Sequence, residues 1–394
     1  MPPYLKPLEG RDRKMDREYM NQVFKLAACG KGRTSPNPMV GAIIVKDGKV
    51  VGQGYHERYG APHAEIKALE EARENAQGAT LYVNLEPCCH QGQTPPCTAE
   101  IIRAGIQRVV VATKDPNPLV NGQGIRELKM HGIEVKTGVL ENAAKKFNEY
   151  FFKYIQTKTP FVILKMGMSL DGKMATKTGD SRWITSALLR GFVHQLRNEI
   201  DATLVGIGTV IRDNPRLTTR LKDGQGRDPK RIVVDSLLRI PLKARIFTQQ
   251  SEAENIIITT TNAPVERVKE LEKIGARVIF AKTMGKNMVD MKDMVVKLGQ
   301  LQITSLMIEG GASINGSAIQ AGIVDKVIMF IAPKIIGGTA APSTIGGDGV
   351  ARVEDAIRLT NIKTKRFGND LMIEGYVERP PSTCIWSPFG CGSE

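Results

Sequence analysis

The residue types richest in chemistry crowd into one window, His63 to Cys97. It opens on His63-Ala64-Glu65 and closes on Pro87-Cys88-Cys89-His90-Gln91-Gly92-Gln93-Thr94-Pro95-Pro96-Cys97. One imidazole with two or three thiols is a borderline-soft donor set, for which zinc is the natural occupant. Glu65 follows the imidazole by two residues and can exchange protons beside such an ion.

The ligand count follows from chain geometry. Adjacent residues point apart, so Cys88 and Cys89 are not expected to bind one ion together. Turns at Gly92 and Pro95-Pro96 let the chain loop out and return Cys97, at a helix start expected to lower its thiol pKa. His63, Cys88 and Cys97 would leave the fourth tetrahedral position open to water, as a catalytic zinc requires. The competing arrangement is a closed structural zinc with Cys89 or His90 as fourth ligand, which would not need Glu65 beside it. Asn37 and His56 bracket the first strands, and taken alone each reads more simply as a turn or surface residue.

The elements that must position this window alternate. Residues 1–15 read as a flexible extension, after which Asp16 is expected to cap a helix with Met20, Val23, Phe24 and Ala27 on its apolar face. Ser35-Pro36-Asn37-Pro38 excludes helix and leads into a strand over 40–45; Asp47-Gly48 then turns the chain into a second strand. The pattern continues as a helix from His63 to about 75, a strand over 80–84, a helix over 98–104 and a strand over 108–112. A helix over 124–130 and a strand over 133–136 follow. This is an α/β sheet with helices packed on it, and both halves of the window fall where strand ends meet helix starts.

At 394 residues the chain has room for two domains, and its 41% hydrophobic content is ordinary for a globular protein. No apolar run approaches a membrane span, and the charged, Pro-rich start has no secretory h-region. Six cysteines, three of them between Cys88 and Cys97, fit metal binding in a reducing compartment better than a disulfide framework. The expected location is the cytoplasm. The net charge of +14 is spread through both halves with no block of five or six together and few interleaved aromatics, which favours phosphorylated small molecules over nucleic acid.

A domain boundary is expected near residue 158, after Tyr150-Phe151-Phe152. Beyond it a strand over 161–166, a helix over 187–198, and strands over 202–205 and 231–235 recur. The run Gly206-Ile207-Gly208 is a weak dinucleotide signal, because Ile211 occupies the third glycine position. Gly310-Gly311 is better placed, between a strand over 306–308 and a helix near Ser313, where backbone N–H groups can approach a phosphate. A tight turn without a ligand reads equally well from this feature alone. Strands over 327–331 and 371–377 close the domain, and the tail with Cys384 and Cys391 reads as disordered.

The H-x-E triplet followed by P-C and a second cysteine is the signature of zinc deaminases, here with the cysteine step stretched. Together with Thr34-Ser35-Pro36-Asn37-Pro38-Met39-Val40-Gly41 and Gly60-x-Pro62-His63, it resembles the RibD family of bifunctional riboflavin-biosynthesis proteins. The resemblance implies a cytidine-deaminase-like domain over 16–158, with zinc on His63, Cys88 and Cys97 and with Glu65 as proton donor. It implies that Asn37 and His56 line the pocket of a diamino-pyrimidinone ribose phosphate. Two positions depart: Cys89 replaces the usual serine, and Gln93 stands where the family often has Lys or Arg against the substrate phosphate.

The second half resembles the family's dihydrofolate-reductase-like domain, over 159–378. The matching runs are Lys165-x-x-x-Ser169-Leu170-Asp171-Gly172, Ser181-x-Trp183-Ile184-Thr185, Gly208-Thr209-Val210-x-x-Asp213, Val234-Asp235-Ser236 and Glu309-Gly310-Gly311. This implies NADPH near Gly167, Trp183, Thr209, Asp213, Ser236 and the run Gly311, Ala312, Ser313, Ile314, Asn315, Gly316, Ser317. Lys165, Ser181, Arg197, Leu217, Arg220 and Glu309 would hold the ribosylamino-uracil phosphate. The expected activity is zinc-dependent deamination, then NADPH-dependent reduction of ribosyl to ribityl, by a homo-oligomer without nucleic-acid or membrane partners. The competing functions are a nucleic-acid base deaminase and a non-catalytic zinc module.

Overall fold

Alternating apolar faces on five short strands build the first half of the protein in a computed structural model that describes residues 6–379, except 92–94, 223, 225 and 286. The chain divides into two compact units, the first ending at Thr157 and the second beginning at Lys158. Gln93 and the tail cysteines Cys384 and Cys391 lie outside the described residues.

In the first unit, β1 (Gly41–Lys46) and β2 (Lys49–Tyr55) form an antiparallel hairpin. β3 (Thr80–Val83) joins β1 antiparallel, and β4 (Arg108–Val111) and β5 (Glu134–Thr137) add in parallel, giving the order β2-β1-β3-β4-β5. The helices are α1 (Lys6–Ala28), α2 (Ala64–Ala72), α3 (Cys97–Arg103), α4 (Gln123–Met130), α5 (Glu141–Phe147) and α6 (Glu149–Thr157). Alternate strand residues feed two cores: Ala42, Ile44, Leu81 and Val109 meet α2, α3 and α4, while Ile43, Tyr82 and Val110 meet α1 and α5. The result is the expected α/β/α sandwich.

α1 departs from expectation. The helix begins at Lys6, ten residues before the expected cap, and Asp16 lies inside it, 1% exposed. The reason is electrostatic: Asp16 accepts hydrogen bonds from Arg108 (3.0 and 3.1 Å), Lys136 (2.7 Å) and the Tyr82 hydroxyl (3.0 Å). An acidic residue before an apolar period looks like a cap in sequence. Here it anchors the helix to strands β4 and β5.

α2 sits close on β2 because both contact faces are small. A Cβ on Gly52 or Gly54 would strike the backbone of Ala68 or Ala64, so the hairpin glycines and the Ala64-Ala68-Ala72 stripe are one packing device. That contact sets the height at which His63 enters the helix.

The second unit holds one nine-stranded sheet. Its strands are β6 (Phe161–Ser169), β7 (Ala202–Gly206), β8 (Lys230–Val234), β9 (Asn255–Thr259), β10 (Arg277–Phe280), β13 (Ser305–Ile308), β14 (Lys326–Ala332), β15 (Leu359–Phe367) and β16 (Asp370–Val377). A separate small ribbon is made of β11 (Thr283–Met284) and β12 (Met288–Val289). The order is β10-β9-β8-β7-β13-β6-β14-β16-β15, parallel as far as β14 and antiparallel for the last two strands. The helices are α7 (Ala187–Glu199), α8 (Ile207–Asp213), α9 (Arg245–Thr248), α10 (Val265–Lys273), α11 (Met291–Gln300) and α12 (Ala312–Gln320). α11 and α12 pack on one face with Val162, Leu204, Ile232 and Leu306; α8 and α10 cover Val205, Val233 and Ile257 on the other. Gly206-Ile207-Gly208 opens only the short α8, so it starts no long dinucleotide-binding helix. Among the described residues no helix is long and apolar enough to cross a membrane.

Candidate functional sites

Two helix starts and one strand exit assemble the first site. His63 is the N-cap residue of α2, Glu65 stands in its first turn, and Cys97 is the first residue of α3. Cys88 follows the exit of β3, where its carbonyl accepts from the Thr98 backbone N–H (3.2 Å) and hydroxyl (3.3 Å) and so ties the exit to α3. His63 Nδ1 lies 3.2 Å from Cys97 Sγ and 3.5 Å from Cys88 Sγ, and all three donor atoms fall within 4.8 Å of one another. Behind Cys88, the buried Glu86 carboxylate accepts N–H groups of Asp115 (3.2 Å), Gly122 (2.9 Å) and Ile125 (3.1 Å). This fixes the β3 exit against the start of α4. A Cβ on Gly124 would strike the Pro87 carbonyl, so only glycine fits there.

The donors of this cluster shift one another's protonation. The Cys97 thiol and backbone N–H both donate to Cys88 Sγ, and with His63 they hold Cys88 down at about 4 despite its burial. His63 is pushed up to about 9, chiefly by that thiolate; the Cys97 thiol, contrary to the expectation from its helix start, is held well above its usual value by its hydrogen bond to Cys88 and by burial. The donor atoms converge as a one-nitrogen, two-sulfur triangle, the place a dication takes on displacing their protons. The donor set fits zinc. Glu65, 4% exposed, has its carboxyl pushed up by burial, with His63 opposing.

The cavity in front, ≈ 250 Å³, has Asn37, His56, His63, Glu65 and Cys88 in its walls. Asn37 Nδ2 lies 3.1 Å from His56 Nε2, and His56 Nδ1 lies 3.2 Å from the Pro62 carbonyl, so the two expected turn residues are linked to each other and to the start of α2. Burial holds His56 below its ordinary value. The sequence reading assigned no role to Asp115, Asn117 or Phe151, which also line this cavity. Asp115 is 8% exposed, and burial pushes its carboxyl up to about 7. Its position one strand away, past the exit of β4, gave no local signal. Cys89 turns aside toward the Leu119 carbonyl (3.9 Å), and His90 lines the wall with Nδ1 buried.

The second site lies at the carboxyl ends of β6, β7 and β13. Ile308 of β13 is in register with Leu164 of β6, which brings Glu309 beside Lys165 one step further on. Glu309 takes a two-pronged bond from Arg197 of α7 (2.6 and 2.8 Å), the Thr203 hydroxyl (2.6 Å) and Lys165 Nζ at 3.6 Å. Burial alone would raise Glu309, yet Arg197 and Lys165 hold it down at about 2. Burial lowers Lys165.

A cavity of ≈ 300 Å³ joins Lys165, Gly167, Ser181, Trp183, Arg197, Arg220, Glu309 and Asn315, eight of the residues expected in this half. Asn315 Nδ2 donates to the Thr344 carbonyl (2.8 Å), leaving its buried Oδ1 without a protein partner among the described residues. Gly310 and Gly311, at φ 129 and 91, turn β13 into α12, and a Cβ on Gly311 would crowd the Thr209 hydroxyl. That bare turn and the orphaned Asn315 acceptor are features a dinucleotide's phosphate and amide groups fit.

The other expected residues are not cavity walls. Thr209 and Asp213 lie on α8, with the Asp213 carbonyl accepting from Arg182 (3.0 Å); the Ser236 carbonyl, past β8, accepts the Thr259 and Thr260 hydroxyls. Ala312, Ser313, Ile314, Gly316 and Ser317 run along α12, where a Cβ on Gly316 would strike Gly346. The Leu217 side chain is buried in the core against α8 and α10. His194 and Arg190 of α7 do line the cavity. Their spacing from Arg197, three and seven residues back, is the signal a helical reading could have used.

Comparison with known proteins agrees with this division. Residues 160–373 match the model of the RibD C-terminal domain, and 13–113 match the cytidine and deoxycytidylate deaminase zinc-binding region. The chain is 46% identical over 361 residues to riboflavin biosynthesis protein RibD of Aquifex aeolicus, covering 92% of this chain and 98% of that protein. With RibD of Actinobacillus pleuropneumoniae it shares 42% over 365 residues, 93% and 96% of the two chains. A solved Acinetobacter baumannii RibD structure superposes with a TM-score of 0.83 at 35% identity, covering 93% of this chain and 100% of that one. A Thermotoga maritima diaminohydroxyphosphoribosylaminopyrimidine deaminase/5-amino-6-(5-phosphoribosylamino)uracil reductase gives 0.80 at 36%, covering 93% and 99%. The chain belongs to the RibD family: it is a bifunctional deaminase and reductase of riboflavin biosynthesis, with a zinc-binding cytidine-deaminase-like domain and an NADPH-dependent, dihydrofolate-reductase-like domain.

Proposed function

We propose that the first unit converts 2,5-diamino-6-(5-phosphoribosylamino)pyrimidin-4(3H)-one to 5-amino-6-(5-phosphoribosylamino)uracil, and that the second reduces its ribosyl group to ribityl. The carrying observation is the convergence of His63, Cys88 and Cys97 within 4.8 Å, with Glu65 in the same cavity wall. His63, Cys88 and Cys97 hold zinc, which when bound supplies a nucleophilic water at neutral pH. Glu65 takes a proton from the attacking water and returns it to the departing amine. Its burial supports this role, because a buried carboxyl holds a proton readily. Asn37 and His56, linked to each other, present polar edges to the pyrimidine.

In the second unit, Gly167, Trp183, Thr209, Asp213, Ser236 and Gly311–Ser317 flank NADPH, whose bound nicotinamide supplies the hydride. Lys165, Ser181, Arg197, Leu217, Arg220 and Glu309 orient the phosphorylated ribosylamine. Leu217, with its side chain in the core, contributes backbone only. The excess of cations over the single carboxylate of Glu309 in this cavity supports an anionic substrate.

The same reading includes a homo-oligomer in the cytoplasm. Edge strand β15 is exposed from Thr360 to Arg366, with Ile362 outward, a surface a second copy can cover. Light scattering after gel filtration tests that element.

The experiment for the whole is incubation with the diamino-pyrimidinone ribose phosphate, with and without NADPH, following products by mass. Deaminated product without NADPH, and deaminated, reduced product with it, is the expected outcome. An unchanged substrate mass in both arms overturns the reading.

A further inference from the structure

α7 carries Arg190, His194 and Arg197 at steps of four and three residues, and all three face the reductase cavity. Two of them are engaged. Arg197 uses its guanidinium on Glu309 and on the Thr218 carbonyl (2.9 Å). Arg190 donates to the Thr185 carbonyl (2.5 Å), with its guanidinium 4.2 Å from the centre of the Trp183 ring.

Arg220 reaches the same cavity from the loop between α8 and β8. Its hydrogen-bond partners are neutral: the Thr218 hydroxyl at 3.3 Å and the imidazole of His194. Besides the Thr218 backbone, two contacts from Arg220 reach the His194 ring, and the one from its backbone N–H has a defined direction. The Arg220 backbone N–H donates to Nδ1 at 3.3 Å, so the proton of the neutral ring sits on Nε2. Nε2 lies 3.3 Å from Nη2 of the same arginine. Two N–H donors therefore face each other, a poor arrangement until an oxyanion accepts from both. Burial, then Arg197 and Arg220, hold the imidazole down at about 4, so His194 donates without adding charge.

We propose that His194 and Arg220 form one seat for a phosphate monoester, with His194 Nε2–H as a further substrate-binding donor beside the guanidinium. This rests on the proposed role of Arg220 toward the substrate phosphate. NADPH carries the same chemistry in its 2′-phosphate. Gly167, Trp183 and Asn315, assigned to NADPH, also line this cavity, but the substrate is the better occupant of the seat, since Arg197, which neighbours His194 on α7, pairs with Glu309 beside Lys165, whereas Thr209 and Ser236 do not line the cavity.

The test is steady-state reduction by the full-length protein, using the phosphorylated deaminated substrate and its dephosphorylated form, with NADPH and with NADH. For H194L, KM for the phosphorylated form should rise about 10-fold, the loss of one charge-assisted bond. Its kcat should stay within about two-fold, and KM for the dephosphorylated form should not move. H194Q, whose amide can both donate to an oxyanion and accept from the Arg220 N–H, should recover most of the loss. H194N, polar but shorter, carries the same expectation as H194L should that variant not fold. An unchanged KM in these variants, or an equal rise for both substrate forms, overturns the seat. A change confined to the NADPH-over-NADH preference overturns its assignment to the substrate. Equal KM for both forms in the unmutated protein is a separate signature: it refutes phosphate binding in this cavity, and the seat with it.

Discussion

The deaminase cavity draws His63, Glu65, Cys88 and Cys97 from one short stretch of chain, at two helix starts and a strand exit. The reductase cavity draws Lys165, Arg197, Arg220 and Glu309 from a strand, a helix, a loop and the turn after another strand. Their charge differs in the same way. The first is rich in thiols and carboxyls (Cys88, Glu65, Glu86, Asp115) and suits a dication and an uncharged ring. The second sets Lys165, Arg190, Arg197 and Arg220 against Glu309 and suits phosphates. A local motif is therefore enough for a metal, whose few donors must converge on a point. A large anionic ligand needs cations from many directions, which only a sheet edge provides.

The largest expected effect separates the two chemistries. Glu65→Gln keeps the shape and all three metal donors but cannot shuttle a proton. Ammonia release should fall by roughly 10²- to 10⁴-fold. Zinc content by atomic absorption should be unchanged, and so should NADPH-dependent reduction of separately supplied deaminated substrate. A loss of reduction in parallel would erase the division of labour between the cavities.

Next in size is the break in the second site's central ion pair. Arg197→Leu leaves the buried Glu309 side chain with Lys165 at 3.6 Å as its remaining cation and the Thr203 hydroxyl as a neutral donor, a change worth about 3–5 kcal/mol of stability. Calorimetry should show the reductase transition moved down and the deaminase transition in place. Two transitions moving together would mean that the units do not unfold separately.

The same contrast explains what the chain disclosed before folding. The convergence of His63, Cys88 and Cys97 was legible because its spacing, an imidazole at one helix start and a thiol at the next, is itself the geometry. The alternating strands around it were legible from their apolar runs. Asp16 misled because a cap and a buried anchor share one residue type, and the decision lay in Arg108 and Lys136, both distant in sequence. Glu86 and Asp115 escaped because their role depends on parallel strands β3 and β4 ending side by side, a register no local pattern encodes. In the reductase half, Lys165 and Glu309 meet only through the β6–β13 pairing, so the family's motif order, not spacing, pointed to them.

The smallest effect sharpens the electrostatic side of the contrast. Asp115 sits in the acidic cavity with its carboxyl at about 7 in the fold, against an ordinary value of 3.8, chiefly through burial. The folded protein thus holds this proton more tightly than the unfolded chain does. The stability this contributes is fully present below about pH 4 and is lost as pH rises toward 7, where the buried group must ionise. Asp115→Asn cannot ionise and retains an oxygen to accept the Asn117 N–H, now 2.8 Å from Oδ1. At pH 8 the variant should therefore be the more stable, by on the order of 1 kcal/mol. The gain should shrink through pH 7 and vanish near pH 4, as read from urea unfolding across that range. A gain independent of pH would mean that packing, not charge, sets the cost of Asp115. The contrast between an acidic cavity made for a dication and a cationic one made for phosphate would then rest on the second cavity alone.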